Sequence, residues 1–90
     1  MRFKFASILL IVLLLFACSS NNMNRMSAKE KWDKAEQFFS QKKYHKAALL
    51  YEQIVLERNS SYTADSQYKL AESYYLQEKY AEAITEYQLL

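Results

Sequence analysis

The chain has 90 residues, 51% of them hydrophobic and 16% aromatic, with no glycine, no proline, one cysteine and one histidine. Without glycine it lacks the phosphate-cradling loops of nucleotide-binding folds and the glycine-based turns of β-hairpins, and a single cysteine and a single histidine provide neither a disulfide framework nor a metal-ligand cluster. Its formal charge of +2, from 12 Lys+Arg against 10 Asp+Glu, is too small for the basic stripe of a nucleic-acid-binding surface.

The first element in chain order is an export segment. Met1-Arg2-Phe3-Lys4 carries two positive charges, and the 13 residues from 5 to 17 carry none. A basic start, a short apolar stretch and a small residue before a cut site form the layout of a secretory signal. A permanent membrane span would need roughly 20 apolar residues and is not expected. The segment closes on Leu15-Phe16-Ala17-Cys18 and gives way to the polar run Ser19-Ser20-Asn21-Asn22. It resembles the signal peptide of a bacterial lipoprotein, with Leu15-Phe16-Ala17-Cys18 as the lipobox. The resemblance implies that residues 1–17 are removed, that Cys18 carries diacylglycerol on its thiol and an acyl group (palmitate) on its new amino group, and that lipid holds the chain at a membrane. The alternative is an ordinary thiol beside a conventional cleavage site.

Removal of Arg2 and Lys4 with the signal leaves 10 basic and 10 acidic residues, so the mature chain of 73 residues, 18–90, is near neutral. It is small for an independent core. Residues 18–26 read as a lipidated N-terminus and polar tether. The eight residues after Cys18 reach at most about 28 Å when extended, so the folded part is expected close to the membrane surface.

From Ser27 onward the hydrophobic pattern is helical. Ser27-Ala28-Lys29-Glu30 fits a capping box, with Ser27 accepting from the third amide and Glu30 reaching back. Breaks are expected at Gln41-Lys42-Lys43, at Arg58-Asn59-Ser60-Ser61 and at Gln77-Glu78-Lys79, giving four helices. These form two copies of one unit, residues 27–61 and residues 62–90. Ala35-Glu36-Gln37-Phe38-Phe39 matches Ala71-Glu72-Ser73-Tyr74-Tyr75, Gln41-Lys42-Lys43-Tyr44 matches Gln77-Glu78-Lys79-Tyr80, Ala47 matches Ala83 and Tyr51 matches Tyr87, all at an offset of 36. A fixed offset shared by small, aromatic and polar positions marks a helical repeat. The alanines are expected where paired helices approach most closely, with Phe38 and Tyr74 filling the space between them. Glu86-Tyr87-Gln88-Leu89-Leu90 reads as the middle of a helix. The chain is therefore expected to be the first part of a longer array or of a truncated reading frame, the alternative being a complete chain that pairs with a partner through Leu89 and Leu90.

This pattern resembles the tetratricopeptide repeat, over residues 28–90, and implies an all-α fold of stacked helix pairs. The family's usual tryptophan, glycine and proline positions are occupied here by Lys31, Ala35 and Asn59, and the period is 36 rather than the usual 34. The two extra residues are expected in the 58–63 linker. Combined with the lipobox and tether, the repeats resemble the BamD-type lipoproteins of the outer-membrane β-barrel assembly machine. The likeness is carried by Lys34-Ala35-Glu36-Gln37-Phe38-Phe39 with Tyr44-His45-Lys46-Ala47-Ala48-Leu49-Leu50-Tyr51, and by residues 64–75 with 80–87. That family has about five such repeats, of which this chain would cover two, and it carries a proline before the second repeat that is absent here. The resemblance implies lipid anchoring on the periplasmic face of the outer membrane, with which Ser19 after the cysteine agrees, and binding to the barrel-forming subunit and to unfolded outer-membrane proteins.

The residues also suggest a site directly. Lys29, Trp32, Glu36, Phe39 and Ser40 share one face of the first helix, and Asp65, Tyr68, Glu72, Tyr75 and Leu76 are their counterparts. Trp32-Glu36-Phe39 and Tyr68-Glu72-Tyr75 both read aromatic–acid–aromatic at i, i+4 and i+7. Such a face either lines a groove for a partner peptide or packs Trp32 and Tyr68 against the neighbouring helix pair. No catalytic residue or cofactor is expected: His45 falls at the exposed start of a helix, and Glu82 and Glu86 are one turn apart on a solvated face. Three classes remain: an assembly scaffold, another repeat lipoprotein such as an envelope coordinator or pilus-assembly factor, and the anchor region of a longer enzyme. Metabolic labelling with a palmitate analogue should mark the wild-type protein and leave Cys18→Ser unlabelled, with the variant recovered in the soluble periplasmic fraction. Equal labelling of the two would refute the lipid anchor.

Overall fold

The computed structural model describes residues 26–90, so the signal segment, Cys18 and most of the tether lie outside the described residues. Those residues form four helices and no strand: α1 (Ala28–Ser40), α2 (Tyr44–Glu57), α3 (Thr63–Leu76) and α4 (Tyr80–Gln88). The expected all-α class is borne out. The breaks also fall where the weak local signals put them, despite the absence of glycine and proline.

The first helix begins at Ser27, whose extended backbone (φ −68°, ψ 163°) lets its Oγ accept from the Glu30 N–H at 3.2 Å. This serves one of the amide donors that a helix start leaves open. The turn from α1 to α2 is a Schellman motif. Lys42 takes the left-handed conformation (φ 61°), its N–H donates to the Phe39 carbonyl at 3.0 Å, and the Lys43 N–H donates to the Phe38 carbonyl at 2.9 Å. The turn from α3 to α4 repeats this bond for bond. Glu78 has φ 63°, its N–H reaches the Tyr75 carbonyl at 3.0 Å, and the Lys79 N–H reaches the Tyr74 carbonyl at 2.9 Å. Left-handed geometry costs an ordinary L-residue roughly 1–2 kcal/mol, which is why glycine is usual there.

The connection between the two hairpins is longer. α2 ends as Arg58 turns left-handed (φ 58°), and Ser60 and Thr63 then brace the start of α3. The Ser60 N–H donates to Thr63 Oγ1 at 3.3 Å, and the Tyr62 N–H donates to Ser60 Oγ at 3.3 Å.

Each helix packs mainly on the next one in sequence. Ala35, Ala47 and Ala71 are fully sealed and Ala83 is 2% exposed, so the four alanines lie at the close contacts as expected. Ala35, Ala47, Ala48, Leu50, Tyr51 and Leu70 form one core, against which Phe38 and Tyr74 pack while half-buried. Glu86 departs from its expected solvated face: it is half-buried, and its carboxylate accepts from the Gln67 side-chain amide of α3. A long acid on the inner edge of α4 can reach the one buried amide opposite it, which leaves Glu82 alone as the solvated member of that pair.

Lys42→Gly and Glu78→Gly should each raise stability by about 0.5–1 kcal/mol, because glycine takes the left-handed turn without a Cβ clash. Chemical denaturation of each single variant and of the double variant checks this, and a loss of stability at either site would contradict the turn geometry.

Candidate functional site

The aromatic–acid–aromatic face is built on α1 and α3, and the same ring pairs recur in each hairpin. Trp32 meets Tyr51 edge-on at 5.6 Å and 63°, and Tyr68 meets Tyr87 at 6.0 Å and 64°. Phe39 meets Tyr44 at 5.2 Å and 71°, and Tyr75 meets Tyr80 at 5.5 Å and 64°. Edge-to-face pairing sets the positive rim of one ring against the negative face of the other, and it fixes where α2 and α4 sit on their partners.

The two hairpins differ in what lies over these rings. Trp32 is half-buried between Tyr51 and Tyr62, the latter at 5.7 Å from the connection into α3. The ammonium of Lys69, on α3, stands 3.7 Å above the centre of the half-buried Phe39 ring. Tyr68 and Tyr75 are open, at 47% and 56% exposure. The expected face is thus closed over Trp32 and Phe39 and accessible over Tyr68 and Tyr75. Of the flanking residues, Lys29 pairs with Asp33 in solvent, Ser40 Oγ donates to the Gln37 carbonyl, and Leu76 is 45% exposed.

Glu36 and Glu72 are joined by Lys69, whose ammonium lies 3.6 Å from one carboxylate and 3.8 Å from the other. Glu36 also accepts from the Tyr51 hydroxyl. One lysine thus links the two acids, covers an aromatic face and ties α3 to α1. Cation–π contact and shared carboxylates strengthen each other where water is partly excluded. Sequence reasoning missed Lys69. Its one local signal is the i,i+3 spacing to Glu72; its bond to Glu36 depends on how the hairpins stack.

Tyr51 is fully buried, and its hydroxyl is pushed well above the ordinary tyrosine range, first by burial and then by the hydrogen bond and negative charge of Glu36. Tyr68 is also raised, mainly by its hydrogen bond to Glu72, and Tyr74 by burial. Lys31 is buried at the foot of α1, and its ammonium pairs with Glu57, the last residue of α2. A cation there also offsets the negative end of the α2 dipole. The lysine therefore fills by its long stem a position that an aromatic could occupy.

His45 is exposed on the first turn of α2. No group of three or more His, Cys, Asp or Glu residues among the described residues is arranged to hold a metal ion, and no described helix is long and apolar enough to cross a membrane.

Tyr51 carries a pH signature. Its folded-state pKa lies above the unfolded value near 10, so both states stay protonated below that value and stability is unaffected. Above it the unfolded chain loses the proton first, and stability falls by up to roughly 1.4 kcal/mol per pH unit. Tyr51→Phe should flatten this alkaline limb in denaturant titrations between about pH 9.5 and 11.5. An unchanged slope would mean that the hydroxyl is not held in the protonated form. Comparison of the chain with protein-family models, with curated proteins and with solved structures finds no match.

Proposed function

We propose that the chain is a lipid-anchored, tetratricopeptide-like scaffold of the outer-membrane β-barrel assembly machinery, held on the periplasmic face through Cys18 and binding the barrel-forming subunit and unfolded outer-membrane proteins. The observation that carries the binding role is the accessible Tyr68-Glu72-Tyr75 face of α3, two rings flanking one carboxylate. Exposed aromatic side chains held rigidly on a helix are efficient anchors for a partner, since burying them costs little conformational freedom. A face of this composition suits the aromatic and aliphatic residues of a partner segment. The anchor is supported by the position of the single cysteine at the end of an export signal, and the assignment to barrel assembly by the resemblance of the repeats.

The test uses the full-length lipoprotein and two ligands: the carboxy-terminal segment of an unfolded outer-membrane protein, and the periplasmic part of the barrel subunit. Tyr68→Ala with Tyr75→Ala should weaken binding by about 1–2 kcal/mol or more, measured below the melting transition of the variant because both rings also seat α4 through Tyr87 and Tyr80. Trp32→Ala should instead lower stability, because its ring is wedged between Tyr51 and Tyr62. Binding to neither ligand would reassign the chain to an envelope scaffold with other partners.

A further inference from the structure

The connection between the two hairpins carries a chemical signal that its structural role does not use. Asn59-Ser60-Ser61 has the form Asn-x-Ser, the acceptor signal for N-linked glycosylation of an exported chain. Glu57, two residues before the asparagine, completes the extended form Asp/Glu-x-Asn-x-Ser/Thr that bacterial oligosaccharyltransferases read. The other asparagines, Asn21, Asn22 and Asn24, have Met23, Asn24 and Met26 two residues on and lack the signal.

The residues that hold this loop are not the ones that the signal specifies. Ser60 is the brace. Its N–H donates to Thr63 Oγ1, its Oγ accepts from the Tyr62 N–H and its carbonyl accepts from the Thr63 N–H, each at 3.3 Å. Asn59 and Ser61 take part in none of these bonds, lie outside the helices and are exposed. Glu57 pairs with Lys31, yet its side chain remains 40% exposed. The middle position, which the signal leaves open, thus carries the bracing, and the specified positions are left to solvent. The three braces lie at the long end of the hydrogen-bond range, so the exposed loop can be drawn out at little cost. In an extended backbone alternate residues project to the same side. Once the loop is extended, Glu57, Asn59 and Ser61 fall on one side and Arg58 and Ser60 on the other.

We propose that Asn59 is the acceptor of an N-linked oligosaccharide. The donor class is an oligosaccharide joined through pyrophosphate to a polyprenyl lipid. Asn59 Nδ2 forms a bond to the anomeric carbon, the bond from that carbon to the pyrophosphate oxygen breaks, and the lipid pyrophosphate leaves with the electron pair. A base of the transferase takes the amide proton, and nothing is oxidised or reduced. The Ser61 hydroxyl is the hydrogen-bonding group by which the transferase recognises the acceptor, and the Glu57 carboxylate is its charged handle. The inference rests on the reading of residues 1–17 as an export signal, and it is independent of the partners assigned to the scaffold.

The experiment takes the full chain, purified in detergent from the cells that make it, and weighs its tryptic peptide of residues 59–69 by mass spectrometry. An oligosaccharide should be found on Asn59 and be lost completely in Asn59→Gln and in Ser61→Ala. It should remain in Ser61→Thr, which keeps the hydroxyl, and in Ser60→Ala, which removes a brace and leaves the signal intact. The intact mass reads export separately, through the loss of residues 1–17. An unmodified Asn59 in a chain that has lost residues 1–17 would overturn the proposal and leave export standing. Sugar that survives Asn59→Gln would overturn it in favour of a serine-linked glycan. An unmodified chain that retains residues 1–17 would overturn both the proposal and the export reading.

Discussion

Ala35, Ala47, Ala71 and Ala83 are almost completely hidden from solvent. At these positions a methyl group is the whole side chain, so paired helices can approach closely without leaving a void. Close approach in turn brings the longer residues on either side within reach of the opposite helix, which is how Trp32 meets Tyr51 and Tyr68 meets Tyr87 at nearly the same angle. A larger residue at any of the four would push the helices apart and strain the packing, at a cost of roughly 1–3 kcal/mol. The aromatic geometry of the candidate site is therefore a consequence of four small residues sealed from solvent.

A polar layer is superimposed on that apolar contact. Lys69, Glu36, Glu72 and the Tyr51 hydroxyl form one connected group between α1, α2 and α3. Its members are partly shielded, so each interaction is stronger than its surface equivalent, and the loss of any one leaves the others less well satisfied. The isolated Lys29–Asp33 pair lies in open solvent and contributes little. The interface between the hairpins thus takes its register from one lysine in a way that apolar contact alone would not define.

Much of this was legible in the sequence, because helix starts, breaks and the 36-residue offset are local or periodic signals. The alanine contacts and the two aromatic–acid–aromatic triads follow from side-chain size and helical spacing. The pairs Lys31–Glu57, Gln67–Glu86 and Lys69–Glu36 were not legible, since each joins residues 19 to 33 positions apart in the sequence whose meeting depends on how one helix lies across another. Nor did the sequence distinguish the closed face over Trp32 from the open one over Tyr68. The two triads have the same form, and only the position of α3 separates them.

That each helix packs chiefly on its successor has a kinetic consequence. Chain segments that must meet are separated by a short turn or a single helix, so little loop entropy is lost before a contact forms. Proteins dominated by such local contacts fold on the microsecond to millisecond scale. A hairpin of this kind can form as soon as its own two helices are available, without waiting for distant sequence. Order can then spread along the chain from one hairpin to the next.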